Sequence, residues 1–129
     1  MHTQLFGIEN CDQCRKARQW LRGREVSVQF HDLRRDGLTV QMLERWLTRV
    51  PWDSLLNRRG QSWRKIDESQ RRAVVDRDSL IELLLAQPLL VKRPVLEASD
   101  RLLIGFSEAA YASAFPEPAE QPAAPSPGA

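Results

Sequence analysis

The feature that most constrains the fold is a pair of cysteines, Cys11 and Cys14, placed where a strand-like segment gives way to a helical pattern. Residues 4–7 have the length of a short strand, and residues 11–21 carry apolar side chains at helical spacing. Residues 26–32 then alternate apolar and polar side chains, as a half-buried strand does. The pattern predicts strand, helix, strand, with a right-handed crossover that makes the two strands parallel.

Cys11 is predicted at the N-terminus of the first helix, where unpaired backbone N–H groups and the helix dipole favour a thiolate over a thiol. Arg15 and Lys16 add positive charge to the same turn. Cys14 lies one turn further along the same face, within reach of a disulfide. Two interpretations of Cys14 stay open, a thiol that resolves a covalent adduct on Cys11 and a small apolar residue of the core. The pattern therefore predicts thiolate chemistry centred on Cys11.

Composition argues against several other classes of protein. A structural zinc site needs four ligands, and the chain offers one cysteine pair with His2 and His31, so no metal is predicted. The 129 residues carry a net charge of +2, which is no nucleic-acid-binding signature. No apolar segment approaches the ~20 residues that cross a bilayer, and no secretory signal precedes the first strand. A cytoplasmic protein is expected, in which cysteines stay reduced.

Turn and capping residues predict where several helices begin and end. Gly23 is expected to end the first helix in a left-handed conformation. Thr39 is expected to cap a second helix that Pro51 terminates. Ser79 is expected to open a further helix at capping-box spacing, and Ser107 to cap the last one.

Three further short strands are predicted, at 89–91, 95–96 and 102–104. The resulting order is β-α-β, a helical insertion over about residues 39–86, and then β-β-α. This is the thioredoxin order, an α/β fold with helices on both faces of a four-stranded mixed sheet. One domain is expected over residues 1–115, and the Pro/Ala-rich residues 116–129 are expected to form a disordered tail.

Four segments resemble one known family. The first reads Leu-Phe-Gly-Ile-x-Asn-Cys-Asp at residues 5–12 and continues Lys-Ala-Arg-x-Trp-Leu at residues 16–21. The others read Leu-Leu-Asn-Arg-Arg-Gly and Trp-Arg-Lys within residues 55–65, Lys-Arg-Pro-Val at 92–95, and Gly-Phe-Ser at 105–107. Together they resemble the arsenate reductase (ArsC)/Spx family, most closely its YffB branch, over residues 3–115. The resemblance implies a thioredoxin/glutaredoxin-like fold.

The resemblance also implies a site built around Cys11 as the nucleophile. Arg93 matches the arginine of the family's Arg-Pro segment, which implies a catalytic and anion-binding role. Pro94 matches a proline whose cis peptide bond turns backbone groups toward the active cysteine. Arg59 is the favoured second anion-binding arginine, with Arg58 as the alternative. The full predicted set of substrate-binding or anion-binding residues is Asn10, Arg15, Arg58, Arg59, Arg93 and Pro94.

The leading hypothesis from this resemblance is a thiol-dependent reductase of a small-molecule or mixed-disulfide substrate. Its expected electron donor is glutathione, as a co-substrate, or a glutaredoxin/thioredoxin system; no bound cofactor and no membrane partner are expected. Arsenate reductases of the family carry a further arginine where this chain has Gly105, so weak or absent arsenate reduction is expected. The alternatives are a true arsenate reductase and an Spx-like redox-sensing transcription regulator that binds RNA polymerase.

Overall fold

The computed structural model describes residues 3–116. Within them four strands form one sheet in the order β2-β1-β3-β4. The strands are β1 (Gln4–Gly7), β2 (Gln29–Asp32), β3 (Val95–Ala98) and β4 (Arg101–Ile104). β1 pairs with β2 in parallel, whereas β3 is antiparallel to both β1 and β4. The predicted α/β fold with a four-stranded mixed sheet is confirmed. The predicted tail, apart from Pro116, lies outside the described residues, as does His2.

The helices of the described residues lie between the strands and after the last strand. They are α1 (Asp12–Gly23), α2 (Leu33–Asp36), α3 (Val40–Leu47), α4 (Gln61–Lys65), α5 (Glu68–Ala73), α6 (Arg77–Ala86) and α7 (Glu108–Ala114). Two short 3-10 turns lie at Trp52–Leu55 and Pro88–Leu90. Helices α3 to α6 follow β2 and precede β3, which is where the helical insertion was expected.

The alternation of side chains along β1 separates two apolar layers, because successive residues of a strand point to opposite faces. Leu5 packs with Leu21 of α1 and Tyr111 of α7 on one face of the sheet. Phe6 packs on the other face with Trp46 of α3, and their ring centroids are 5.1 Å apart. The central strand β1 is therefore covered on both faces, and its carboxyl end leads directly into α1.

Local capping signals give some helix boundaries correctly and miss one. The Thr39 hydroxyl accepts the Met42 N–H at 3.1 Å, which confirms the predicted cap of α3, and Ser107 caps α7 in the same way. The predicted end of α1 at Gly23 is confirmed, but the left-handed conformation predicted there is wrong. Gly23 is the last residue of α1, and the left-handed conformation falls on Glu25, with φ 60°.

Helix α6 begins earlier than Ser79, which makes that predicted start wrong. The N-cap is Asp76, whose carboxylate accepts the Ser79 N–H at 2.9 Å, while the Ser79 hydroxyl accepts the Asp76 N–H at 3.0 Å. Ser79 therefore takes the third helical position of a capping box instead of the N-cap position.

The predicted second strand is too long, and the strand predicted at residues 89–91 is wrong. Strand β2 begins at Gln29 instead of residue 26, because the Val26 N–H donates to the Leu21 carbonyl at the end of α1. Residues 89–91 lie mostly in a 3-10 turn that begins at Pro88. Proline suits this first position, because a backbone N–H there would have no partner within the turn. Val91 alone of that segment forms a β-bridge, to Leu56.

Candidate active site

The two cysteines lie at the junction between β1 and α1. Cys11 is the N-cap residue of α1, with extended backbone (φ −100°, ψ 127°), and its carbonyl accepts the Arg15 N–H at 2.9 Å. Cys11 is half-buried, Cys14 is fully buried, and both are free thiols. A Cβ on Gly7 would lie 2.3 Å from Sγ of Cys14. The end of β1 therefore needs glycine, because a side chain there would occupy the space of the Cys14 sulfur.

The electrostatic surroundings make Cys11 the reactive thiol of the pair. Burial raises the pKa of Cys11, but the backbone N–H and side chain of Cys14 lower it by hydrogen bonding, and Arg93 lowers it by hydrogen bonding and by its charge. The lowering effects prevail, so the pKa of Cys11 lies below the ordinary value of a thiol. A lowered pKa raises the fraction of thiolate near neutral pH, which is the form that attacks electrophiles.

The same surroundings keep Cys14 protonated. Burial, together with the charge of the neighbouring Cys11, raises the pKa of Cys14 to about 12, although a backbone hydrogen bond at Ile8 acts in the opposite direction. Cys14 is therefore a thiol at neutral pH and can donate a hydrogen bond to the Cys11 sulfur. Its burial fits a core residue and its proximity to Cys11 fits a resolving thiol, so both interpretations of Cys14 stay open.

Arg93 reaches the Cys11 sulfur from the loop that precedes β3. One of its guanidinium N–H groups donates to the Leu89 carbonyl at 2.6 Å, while its buried Nε has no hydrogen-bond partner among the described residues. The Arg93–Pro94 peptide bond is cis, and the Pro94 carbonyl accepts the Gly105 N–H at 2.8 Å. Arg93 therefore lies close enough to Cys11 to lower the pKa of its thiol, and it also has a buried donor without a partner among the described residues.

A cleft of about 460 Å³ opens beside Arg93. Arg93 and Lys92 both line it, and none of the described acidic side chains does. Gln13, from between the two cysteines, lies at one side, and the apolar side chains of β4 and Phe106 form part of the wall. The volume lies in the usual range of small-molecule sites. A cleft with two cations and an apolar wall suits an anionic ligand of peptide size.

Arg58 and Arg59, the candidates for a second anion-binding position, do not line this cleft. Arg58 forms an ion pair with Asp53 at 2.5 Å, and its guanidinium carbon lies 5.7 Å from the centroid of the Trp63 ring. Arg59 is exposed in the loop before α4. The anion-binding role of these two arginines stays a prediction.

Arg15 and Asn10 flank Cys11 in the chain but also lie outside the cleft lining. The Arg15 guanidinium pairs at the surface with Asp12, three residues earlier on the same helix. The cation that lowers the pKa of Cys11 is therefore Arg93, in place of the Arg15 suggested by the charge pattern. Asn10 lies in the exposed turn before Cys11, and its binding role stays a prediction.

Sequence analysis assigned no role to three residues that line the cleft: Gln13, Lys92 and Phe106. Lys92 and Phe106 belong to the segments that resemble the family, directly beside Arg93 and Gly105. The signal for Lys92 and Phe106 was their position in the chain next to Arg93 and Gly105. A loop that brings Arg93 to the site also brings the adjacent side chain close to it. Nothing in the local pattern distinguishes Gln13 from a solvent-exposed helix residue.

The His31 side chain contacts Phe6 and Gln4. Its ring stacks on Phe6 with the centroids 4.7 Å apart, and Nε2 lies 2.7 Å from the side-chain oxygen of Gln4.

Among residues 3–116, no group of three His, Cys, Asp or Glu side chains is placed to hold a metal ion. The same part of the chain contains no helix of the length and apolar character that a membrane span requires.

The fold and the site define a thioredoxin-like α/β protein with a cysteine pair at the start of its first helix. The chain belongs to the ArsC family, whose family model matches residues 6–114. The structure of a YffB protein is 45% identical with a TM-score of 0.82, and the match covers 88% of this chain and 98% of that one. An arsenate reductase-related protein from Brucella melitensis is 46% identical with a TM-score of 0.69, covering 90% and 96%. The global transcriptional regulator Spx of Streptococcus pyogenes is 31% identical over 106 residues, which are 81% of this chain and 78% of that protein. The resemblance found in the sequence is thereby confirmed.

Proposed function

We propose that the protein is a thiol-dependent reductase that uses Cys11 as its nucleophile and glutathione as its electron donor. The observation that carries this proposal is the position of Arg93, which lowers the pKa of Cys11 and also lines the positively charged cleft. A cation at that position serves both the attacking thiolate and an anionic thiol bound next to it. Membership of the ArsC family agrees with redox chemistry of this kind.

The reaction consists of two thiol–disulfide exchanges. The Cys11 thiolate attacks the glutathione sulfur of a mixed disulfide, the S–S bond breaks, and the substrate leaves as a thiolate that takes up a proton. The thiolate of a second glutathione then attacks the glutathione sulfur attached to Cys11, which releases oxidised glutathione and restores the Cys11 thiolate. The substrate sulfur is reduced and the sulfur of the second glutathione is oxidised, while the sulfur of the first glutathione stays at the disulfide level throughout. Arg93 stabilises the Cys11 thiolate, first as nucleophile and then as leaving group.

Glutathione is a better candidate than Cys14 for resolving the adduct. Attack by Cys14 on the Cys11 sulfur requires the Cys14 thiolate, and burial, the largest cause of the raised pKa of Cys14, remains when Cys11 carries the adduct and disfavours that form. A Cys14→Ser variant is therefore expected to retain most of the activity with glutathione.

Arsenate reduction is expected to be weak or absent. Tight binding of a small tetrahedral oxyanion needs charged donors on several sides, and the wall of the cleft at Gly105 presents no side chain. Gly105 has φ 80°, so an arginine introduced there would be held in a strained backbone conformation. Gly105→Arg is therefore not expected to create an efficient arsenate site.

The test is a thiol-transferase assay with a small glutathione mixed disulfide, run beside an arsenate reduction assay with glutathione. We expect measurable transferase activity that Cys11→Ser abolishes. Arg93→Ala is expected to lower kcat/KM roughly ten- to a hundredfold, the effect of losing a hydrogen bond to a charged group. Arsenate turnover by the wild type at rates comparable to thiol transfer would contradict the proposal.

The similarity to Spx favours a second candidate, a redox-sensing transcription regulator. In that function the two cysteines would act as a switch, and the partner would be RNA polymerase. A pull-down with the polymerase α subunit, under reducing and oxidising conditions, distinguishes the two candidates. Redox-dependent binding by a chain without transferase activity would favour the regulator.

A further inference from the structure

We propose that Lys92 determines which disulfides Cys11 accepts, because its ammonium group binds a carboxylate of the incoming glutathione moiety. Anionic disulfides such as oxidised glutathione would thereby be preferred to neutral ones. This inference rests on the proposed function, since it assigns the cleft to the group that becomes attached to Cys11.

The backbone of Lys92 is held firmly at the edge of the cleft. Its N–H donates to the Leu55 carbonyl at 2.7 Å, and the Asn57 N–H donates to the Leu90 carbonyl at 2.9 Å. These two bonds lie on either side of the single β-bridge that joins the segments. The starting point of the Lys92 side chain is therefore fixed, while the side chain itself is exposed and lines the cleft.

Gly105 gives the Lys92 side chain its path along the wall. A Cβ built on Gly105 would lie 3.8 Å from Cε of Lys92, so the last carbon before the ammonium group passes over this glycine. With φ 80°, position 105 has a backbone conformation that glycine adopts readily and other residues rarely do. The wall at that point consequently stays free of any other side chain, and Lys92 contributes the charge there.

Lys92 and Arg93 have different contacts and therefore different tasks. Arg93 donates to the Leu89 carbonyl at 2.6 Å and lowers the pKa of Cys11. Lys92 forms no ion pair with an acidic side chain of the described residues, and none of those acidic side chains lines the cleft. A ligand carboxylate is thus the group that can neutralise Lys92 in this cleft, and the positive charge also attracts anions toward it.

The test measures a single step, the reaction of the reduced protein with a disulfide to give the adduct on Cys11 and one released thiolate. Second-order rate constants are compared for oxidised glutathione, for its tetraethyl ester, and for hydroxyethyl disulfide, with the adduct followed by mass spectrometry. The tetraethyl ester keeps the peptide shape but removes the carboxylate charges. The variant is Lys92→Gln, and the matched control is Lys65→Gln, at an exposed lysine of α4 that does not line the cleft.

We expect Lys92→Gln to slow the reaction with oxidised glutathione about three- to tenfold, the size of an exposed ion pair together with loss of electrostatic attraction. The rates with the ester and with hydroxyethyl disulfide should stay unchanged, and Lys65→Gln should leave all three rates unchanged. Equal rates for wild type and Lys92→Gln with oxidised glutathione, or an equal loss with all three disulfides, would overturn the role of Lys92 and leave the proposed function intact. Absence of any adduct on Cys11 in the wild type would overturn both.

Discussion

At the scale of single residues, the site depends on two thiols whose pKa values are shifted in opposite directions. The pKa of Cys11 is lowered by its contacts to Cys14 and Arg93 in spite of burial, while burial and the neighbouring charge raise the pKa of Cys14 to about 12. Cys11 is therefore the thiol suited to the proposed role of nucleophile, and Cys14 can donate a hydrogen bond to it. The raised pKa of Cys14 follows mainly from its burial, whereas the lowered pKa of Cys11 follows from Cys14 and Arg93.

The pH dependence of alkylation tests the lowered pKa of Cys11 directly. Iodoacetamide reacts with the thiolate, so its rate with Cys11 should rise as the pH passes upward through the pKa of that thiol. We expect an apparent pKa below the ~8.5 of a free cysteine. Arg93→Ala should raise this pKa, because it removes both a hydrogen bond and a positive charge from the thiolate side.

Arg15→Ala is the matched control for that experiment, because Arg15 lies in the same turn but pairs with Asp12 at the surface. It should leave the apparent pKa of Cys11 unchanged, and Cys11→Ser should remove the reaction. An apparent pKa at or above the free-thiol value in the wild type would refute the assignment of Cys11 as an activated nucleophile.

The sequence and its resemblance to the family predicted that Cys11 and Arg93 lie together, but not which partners the other charged side chains take. The position of Cys11 follows from a local signal, the start of a helix after a strand. The orientation of Arg15 depends on its ion pair with Asp12, and that of Arg58 on its ion pair with Asp53. Such competing carboxylates decide where a long side chain points, and the linear pattern does not rank them.

At the scale of secondary-structure elements, the junction between β1 and α1 depends on the absence of a side chain at Gly7. A Cβ there would meet Sγ of Cys14 at 2.3 Å, so Gly7→Ala must displace the sulfur or the strand. We expect this substitution to lower the free energy of unfolding by about 1–3 kcal/mol, as overpacking of a core does. Urea unfolding monitored by tryptophan fluorescence measures the change.

Two further variants make the Gly7 prediction specific. Gly23→Ala, at the end of α1 with nothing within 4 Å of the added Cβ, should leave stability unchanged or raise it by up to about 1 kcal/mol. The double variant Gly7→Ala/Cys14→Ala should recover part of the lost stability, because the clashing sulfur is removed. A Gly7→Ala protein as stable as wild type would show that the close approach is not required.

The elements themselves were predictable where the signal is local. The hydroxyl caps of α3 and α7, at Thr39 and Ser107, depend on residues three positions apart in the chain. The apolar residues 89–91 wrongly predict a strand, because a short apolar run fits a buried strand as well as a helical turn. Their actual structure depends on Pro88 and on one distant partner, Leu56, which no local pattern reveals.

At the scale of the whole molecule, the sheet order assembles the site from distant parts of the chain. β1 and β3 are antiparallel neighbours with Phe6 opposite Val95, so the carboxyl end of β1 meets the amino end of β3. The first end leads to Cys11 and the second follows the cis peptide bond of Arg93 and Pro94. Alternation and spacing predicted the strands, but the resemblance to a family was needed to place Arg93 beside Cys11.

Residues 116–129 contain five prolines and no aromatic residue. The match to the ArsC family ends at residue 114, and the composition of the remainder offers little apolar surface to bury. A chain that ends at Phe115 should therefore keep its melting temperature within about 2 °C and its Cys11 alkylation rate within about twofold.

A second truncation, after Ile104, is the control for that prediction. It removes α7, whose Tyr111 is fully buried and meets Trp20 of α1 with ring centroids 5.6 Å apart. Loss of this aromatic contact and of the cover over one face of the sheet should abolish cooperative unfolding, because a buried aromatic side chain contributes several kcal/mol. If the chain ending at Phe115 loses several degrees instead, residues 116–129 contribute to the stability of the folded protein, and the interpretation of this segment as a dispensable tail is wrong.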